Sequence, residues 1–156
     1  MAARSLSEII KEFKENYGGV MNLADAATDS EIEAFETNNE IKLPEPLKAL
    51  YKVFNGGEIF TPGTEIFGLD RFKYINSIRY ENRRDVRRKY SISSNYIIIA
   101  KYNFGDLVCM NLNDPYDIIQ WDHEADEQFF DWETVEEWLE DQLLDYIDFL
   151  ASEDAQ

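Results

Sequence analysis

The sequence predicts one α+β domain in which a mainly antiparallel, twisted sheet is wrapped by N-terminal helices, an Arg-rich middle helix and an acidic C-terminal helix. Apolar residues recur at helical spacing near both ends of the chain, whereas short β-prone runs separated by turn residues lie between them. The 156 residues, 44% of them hydrophobic, suit a single core. One domain is therefore expected over residues 1–156.

The first helix is predicted from Ser5 to about Tyr17. Ser5 and Glu8 have the spacing of a capping box, in which side chains satisfy the exposed N–H groups of the first turn. Gly18 and Gly19 then favour termination, because glycine readily adopts the backbone conformation of a helix C-terminus. The helix would bury one apolar side, made of Leu6, Ile9, Ile10, Phe13 and Tyr17.

Two more helices are predicted before the β-prone runs begin. Thr28 and Glu31 form a second capping box, which opens the second helix. Pro44 suits the first turn of a helix but not its interior, so it marks the start of the third. That helix should end at residues 55–57, Asn-Gly-Gly. We therefore expect three helices before any strand.

The β-prone runs predict a hairpin followed by a three-stranded meander. Residues 58–60 and 65–67 flank a segment rich in turn-forming residues, which indicates the hairpin. Three successive isoleucines favour a later strand buried on both faces. The meander at the centre of the sheet is predicted from residues 96–100, 107–112 and 118–121.

A basic segment separates the hairpin from the meander, and a helix is predicted near residues 76–90. The basic segment covers residues 71–89, and its eight basic residues oppose only Glu81 and Asp85, a local excess of six positive charges. This segment could contact phosphate, but a solvated helix face that pairs with the acidic part of the chain or with a neighbouring chain is favoured. The basic residues are Arg71, Lys73, Arg79, Arg83, Arg84, Arg87, Arg88 and Lys89.

The closing helix is predicted to open near Asp131, a favourable N-cap residue. Apolar residues form one stripe along it, and acidic residues occupy the other faces. We expect the stripe to be buried and the acidic faces to be wet. The stripe contains Val135, Trp138, Leu139, Leu143, Tyr146, Ile147 and Leu150.

The net charge of −17 lies in the last third of the chain. No Lys or Arg follows Lys101, and residues 102–156 hold 17 of the 32 acidic residues, whereas the first 101 residues balance to zero. Such a field attracts a cationic macromolecule and repels nucleic acid and anionic membranes. Neither of these anionic partners is expected, although an acidic surface can also serve solubility alone.

The sequence offers little catalytic chemistry. A Ser–His or Cys–His nucleophile would have to use His123, the only histidine, for which a hydrogen-bonding role is favoured. Cys109 is expected to be a buried apolar residue. Acidic residues between 114 and 127 could bind Ca²⁺ loosely, but Pro115 and the missing loop glycine exclude an EF-hand. No catalytic residue, metal or cofactor is predicted.

The compartment is inferred from what the chain contains. Residues 1–13 have no apolar run typical of a secretory signal, and charges interrupt every stretch that could span a membrane. One cysteine cannot form an internal disulfide, which fits a reducing environment. We expect a soluble cytoplasmic protein.

The motifs occur in an order that is similar to a known family. The N-terminal signature is Ile32, Glu33, Phe35, Glu36, Ile41, Leu43, Pro44, Leu47, Leu50, Tyr51, Phe54, Asn55, Gly56 and Gly57. Later matches are residues 66–68, 97–100, 105–112, 119, 121–124 and 132–139. Together they resemble the SUKH superfamily, the Smi/Knr-type domain of bacterial immunity proteins and a fungal cell-wall regulator. The resemblance covers about residues 5–150, with a departure at Asn103-Phe104.

The resemblance implies a non-catalytic α+β domain whose bacterial members often neutralise a cognate toxin, frequently a nuclease. We therefore predict an immunity protein that binds a basic toxin domain, with carboxylates replacing the phosphates that the toxin would grip. Phe129, Phe130 and Trp132 are candidate anchors, although core burial is favoured for each. The predicted charged contacts are Asp122, Glu124, Asp126, Glu127, Glu133, Glu136, Glu137, Glu140 and Asp141.

Two other functional classes stay open at this stage. The fungal relatives suggest a regulatory hub that recruits several partners without inhibiting an enzyme. A hydrolase that uses His123 is the third reading. The sequence leaves the toxin and the oligomeric state undetermined.

Overall fold

The computed structural model describes residues 4–60 and 63–154. Within these residues, seven strands form one antiparallel sheet in chain order, β1 to β7, accompanied by six α-helices and a short 3-10 turn at Gly18–Val20. The predicted α+β class is confirmed. The helices are α1 (Leu6–Tyr17), α2 (Asp29–Asn39), α3 (Glu45–Tyr51), α4 (Ile78–Glu81), α5 (Arg84–Arg87) and α6 (Val135–Asp154). The strands are β1 (Asn22–Leu23), β2 (Gly57–Ile59), β3 (Thr64–Ile66), β4 (Tyr96–Tyr102), β5 (Leu107–Asn111), β6 (Ile118–Asp122) and β7 (Glu127–Trp132).

The first three helices begin where the capping residues predict. The Ser5 hydroxyl accepts the Glu8 N–H at 3.2 Å, and Thr28 and Glu31 form the complete reciprocal capping box. Pro44 is the residue that immediately precedes α3. The Ser5 and Thr28 side chains satisfy N–H groups that have no partner inside the helix, whereas Pro44 makes no side-chain cap bond. These local signals suffice to place the first three helix starts.

The expectation that three helices precede any strand is wrong, because β1 lies between α1 and α2. Its two residues pair with β2, Asn22 opposite Glu58 and Leu23 opposite Gly57. The approach is so close that a Cβ on Gly57, where φ is +143°, would lie 2.4 Å from the Asn22 carbonyl oxygen. So short a strand is defined by its partner, and two residues carry no periodicity that could predict it.

The hairpin and the meander are confirmed. β2 pairs with β3, and β4, β5 and β6 are consecutive antiparallel neighbours. Thr61 and Pro62, which were expected to turn the hairpin, lie outside the described residues. Cys109 is fully buried on β5, as predicted, and burial raises the pKa of its thiol to about 12. The thiol is therefore protonated at neutral pH and unreactive.

The prediction of a single Arg-rich helix near residues 76–90 is wrong. Two four-residue helices, α4 and α5, lie there instead. Asn82 separates them. Its amide nitrogen donates to the carbonyls of Ile78 and Ile98, and its amide oxygen accepts the Ile98 N–H, all at 2.8 Å. The backbone of Arg83 is extended, with ψ of 149°, so the helix is interrupted here. The hydrogen bonds of Asn82 attach this segment to β4.

The basic side chains consequently do not share one helical face. Arg87 is half-buried and donates to the backbone carbonyls of Ser93 and Tyr96, while the other seven basic side chains are exposed. Arg83 pairs with Asp85 at 2.7 Å. In residues 4–60 and 63–154, none of these eight side chains forms an ion pair with the acidic last third. The expected intramolecular pairing is therefore not found.

Replacing Asn82 by alanine is expected to destabilise the protein by about 1–3 kcal/mol, because the N–H and C=O of Ile98 lose their partners. Urea unfolding monitored by circular dichroism measures the loss. Asn38→Ala removes the same amide from an exposed position on α2 and should change the free energy of unfolding by less than about 0.5 kcal/mol. Equal effects of the two substitutions would contradict the role of Asn82.

The closing helix starts later than predicted, at Val135, and Asp131 lies in β7. The Thr134 hydroxyl accepts the Glu137 N–H at 3.1 Å, so Thr134 caps the helix in place of Asp131. The first half of the apolar stripe is buried, as expected, with Trp138 and Leu139 fully inaccessible. Ile147 is 40% exposed, so the stripe is not buried along its whole length.

Candidate interaction surface

The nine predicted contact residues lie on the β6–β7 hairpin, on α6 and, for Glu133, in the short connection between them. The indole Nε1 of Trp132, at the end of β7, donates to Asp141 of α6 at 2.7 Å. This bond connects the end of β7 to the second turn of α6, which begins three residues after Trp132. We call these nine carboxylates and the surface they occupy the acidic surface.

Part of the acidic surface stabilises its own fold. Asp122 accepts the N–H groups of Glu124 and Ala125 at 2.9 and 3.0 Å, which shapes the turn between β6 and β7. Asp126 accepts from Ser91 and from the Trp121 indole. Hydrogen bonds from Ser91 and then from Trp121 lower the pKa of the Asp126 carboxyl. Both carboxylates are therefore occupied.

Three carboxylates of α6 are also engaged. Asp141 holds Trp132, Glu137 accepts the Glu133 N–H at 3.1 Å, and Glu140 pairs with Arg4 at 2.9 Å. The last contact ties the helix to the N-terminal segment of the described chain. These bonds direct the three side chains toward the protein and reduce their availability to a partner.

The remaining four carboxylates, Glu124, Glu127, Glu133 and Glu136, make no hydrogen bond to the described residues. Glu124 lies 3.9 Å from the His123 ring, a contact that becomes an ion pair only when the histidine is protonated. Among residues 4–60 and 63–154, the carboxylates of Glu127, Glu133 and Glu136 make no ion pair or hydrogen bond. Sequence reasoning treated all nine alike, because it cannot see which carboxylates are used internally.

His123 is held by Asp106, which sits just before β5. The Asp106 carboxylate lies 2.6 Å from Nδ1 of His123 and accepts the Gln120 amide at 2.9 Å. Burial alone would raise the pKa of Asp106, but hydrogen bonds from His123 and Gln120 outweigh it and hold the pKa below its ordinary value. The ring also packs on Gly105, where a Cβ would meet Nε2 at 2.8 Å.

Asp106, Asp122 and His123 bring ligand-type atoms within 4.8 Å of one another. Asp106 already bonds to His123 and Gln120, and Asp122 already accepts backbone N–H groups. A metal ion would have to break these bonds, so the cluster fits a structural role better. Sequence reasoning missed Asp106, which no spacing along the chain connects to His123.

The aromatic candidates divide into two groups. Trp132 is 8% exposed, so its predicted burial is confirmed. The predicted burial of Phe129 and Phe130 is wrong, because their side chains are 66% and 47% exposed. Both lie on β7, a strand that the sequence did not predict because Glu-Gln-Phe-Phe-Asp-Trp lacks the alternation of a half-buried strand.

The SMI1/KNR4 family (SUKH-1) model matches residues 26–141. The match runs from just before α2 into α6 and includes all nine residues of the acidic surface. No curated protein is similar enough to match the chain. Among the described residues, no helix combines the length and apolar character needed to cross a membrane.

Proposed function

Because the chain belongs to the SMI1/KNR4 family (SUKH-1), we propose that it is an immunity protein that binds a basic toxin domain and blocks its active site. The observation that carries this proposal is the one-sided charge: 17 acidic residues and no Lys or Arg follow Lys101. A surface of this kind competes for the site at which a nuclease toxin binds phosphates. Inhibition is steric, without any reaction of the immunity protein.

The free carboxylates of Glu127, Glu133 and Glu136 support an electrostatic role for the acidic surface. Attraction between opposite charges raises the rate at which two proteins meet, by about 10- to 1,000-fold. It also orients the toxin, because the first 101 residues have no net charge. Fast association suits an inhibitor that must capture its toxin before the toxin reaches nucleic acid.

A non-catalytic role agrees with the chemistry of the two residues considered for nucleophilic catalysis. Burial keeps the Cys109 thiol protonated, with a pKa of about 12. The His123 ring is bound to Asp106 and packed on Gly105. Both residues therefore support the fold, and binding alone accounts for the proposed inhibition.

Co-expression tests the proposed function. Where the gene adjacent to this one encodes a protein with a basic C-terminal domain, cells that produce that domain should stop growing, and the wild-type protein should restore growth. The toxin with its catalytic residue removed should co-purify with the protein. Failure to rescue and to bind would refute the proposal. A pull-down that returns several unrelated proteins and no basic nuclease would favour a regulatory hub.

A further inference from the structure

β7 is the outermost strand of the sheet next to β6, and its outer edge has no partner strand among the described residues. Five of its six residues are exposed, including Phe129 and Phe130. Proteins normally protect such an edge, because exposed apolar residues on an unpaired strand invite association with other chains. Two successive phenylalanines exposed by 66% and 47% on this edge strand indicate a contact surface.

The strand carries a bulge at this pair of phenylalanines. Gln120 of β6 pairs with Phe130, and Trp121 pairs with Gln128, so Phe129 is an extra residue in the ladder. A bulge interrupts regular pairing on the edge strand, which disfavours the addition of a continuous strand from another protein. The geometry favours contact through the two side chains.

One of the two rings is braced by its surroundings. The Phe130 ring lies 5.1 Å from the ring of Trp132, which approaches it edge-on. Trp132 is itself fixed by its bond to Asp141. A ring held in place loses little freedom when a partner binds, and this increases its contribution to affinity.

The charges around Phe129 and Phe130 favour one kind of binding partner. The exposed Glu127 and Asp131 flank the phenylalanines on β7, and no basic residue occurs after Lys101. In a symmetric dimer through β7, a second copy of this chain would bring the same negative charge to the same place and be repelled. A cationic protein would be attracted, since Arg and Lys side chains pack their stems or guanidinium planes on phenyl rings.

We propose that Phe129 and Phe130 are the apolar anchor at which the cationic toxin docks, with Glu127 and Asp131 as its charged rim. This inference rests on the proposed function and identifies the contact that makes the complex dissociate slowly. Charge governs how fast the partners meet, whereas buried aromatic residues govern how slowly they separate.

The test uses the double variant Phe129→Ala/Phe130→Ala and the catalytically inactive toxin domain encoded by the adjacent gene. Surface plasmon resonance should show dissociation at least about tenfold faster, with the association rate changed by less than about twofold. The matched control is Phe104→Ala/Tyr116→Ala, which removes two aromatic rings exposed by 60% and 69% elsewhere. The control should bind like the wild type, and both variants should unfold at the wild-type temperature.

The outcomes separate the two proposals. Absence of binding by the wild type would refute the proposed function and this inference with it. Wild-type binding that the double variant retains unchanged would overturn the anchor and leave the proposed function standing. Sedimentation that shows a wild-type dimer, dissociated by the same double variant, would identify a second copy as the occupant and overturn the anchor.

Discussion

Glu127→Gln/Glu133→Gln/Glu136→Gln, three substitutions combined, is expected to associate with the toxin about tenfold more slowly at low salt. These carboxylates make no bond within the described structure, so glutamine removes charge while leaving the fold intact. Stopped-flow fluorescence at about 50 mM and at about 1 M salt measures the effect. At high salt the difference from the wild type should disappear, because a Debye length of about 3 Å screens exposed charges.

The control for this variant removes the same charge from the neutral part of the chain. Glu15→Gln, Glu33→Gln and Glu40→Gln replace three exposed glutamates on or next to α1 and α2. Association of this triple variant should slow by less than about twofold if the direction of the field matters. Equal slowing of both variants would mean that total charge alone attracts the toxin, and the acidic surface would lose its special role.

Trp132→Ala is expected to lower the free energy of unfolding by about 3–5 kcal/mol. The indole is 8% exposed, supports the Phe130 ring and holds Asp141 of α6. Its removal leaves a cavity between β7 and the closing helix and releases both parts of the acidic surface. Thermal unfolding followed by calorimetry measures the loss, and toxin binding of the folded fraction should weaken as well.

Trp132→Phe separates packing from hydrogen bonding in this contact. Phenylalanine keeps most of the apolar volume but cannot donate to Asp141, so a loss of about 1–2 kcal/mol is expected. Asp141→Asn keeps an oxygen acceptor for the Trp132 indole while removing one charge, and should cost less than either tryptophan substitution. A Trp132→Ala protein as stable as the wild type would contradict the proposed connection between β7 and α6.

The comparison of sequence and structure shows which signals are local. Ser5 and Thr28 each mark a helix start, because their side chains bond to an N–H group three residues later. Pro44 marks the third start, because its fixed φ is not tolerated inside a helix. Likewise, the isoleucines of β4 are apolar on both faces, which predicts a buried central strand wherever its partners lie. The prediction failed at Asn82, where a contact with β4, sixteen residues away, overrides the helical pattern of the arginines.

The sequence by itself determined the starts of the first three helices, the central meander and the concentration of charge after Lys101, since each depends on residues close together in the chain. Only the tertiary structure decided that β1 and β7 are strands, that Phe129 and Phe130 are exposed, and which carboxylates are free. Strand pairing and hydrogen bonding join residues distant in sequence, so their energy is set by neighbours that no local pattern reveals.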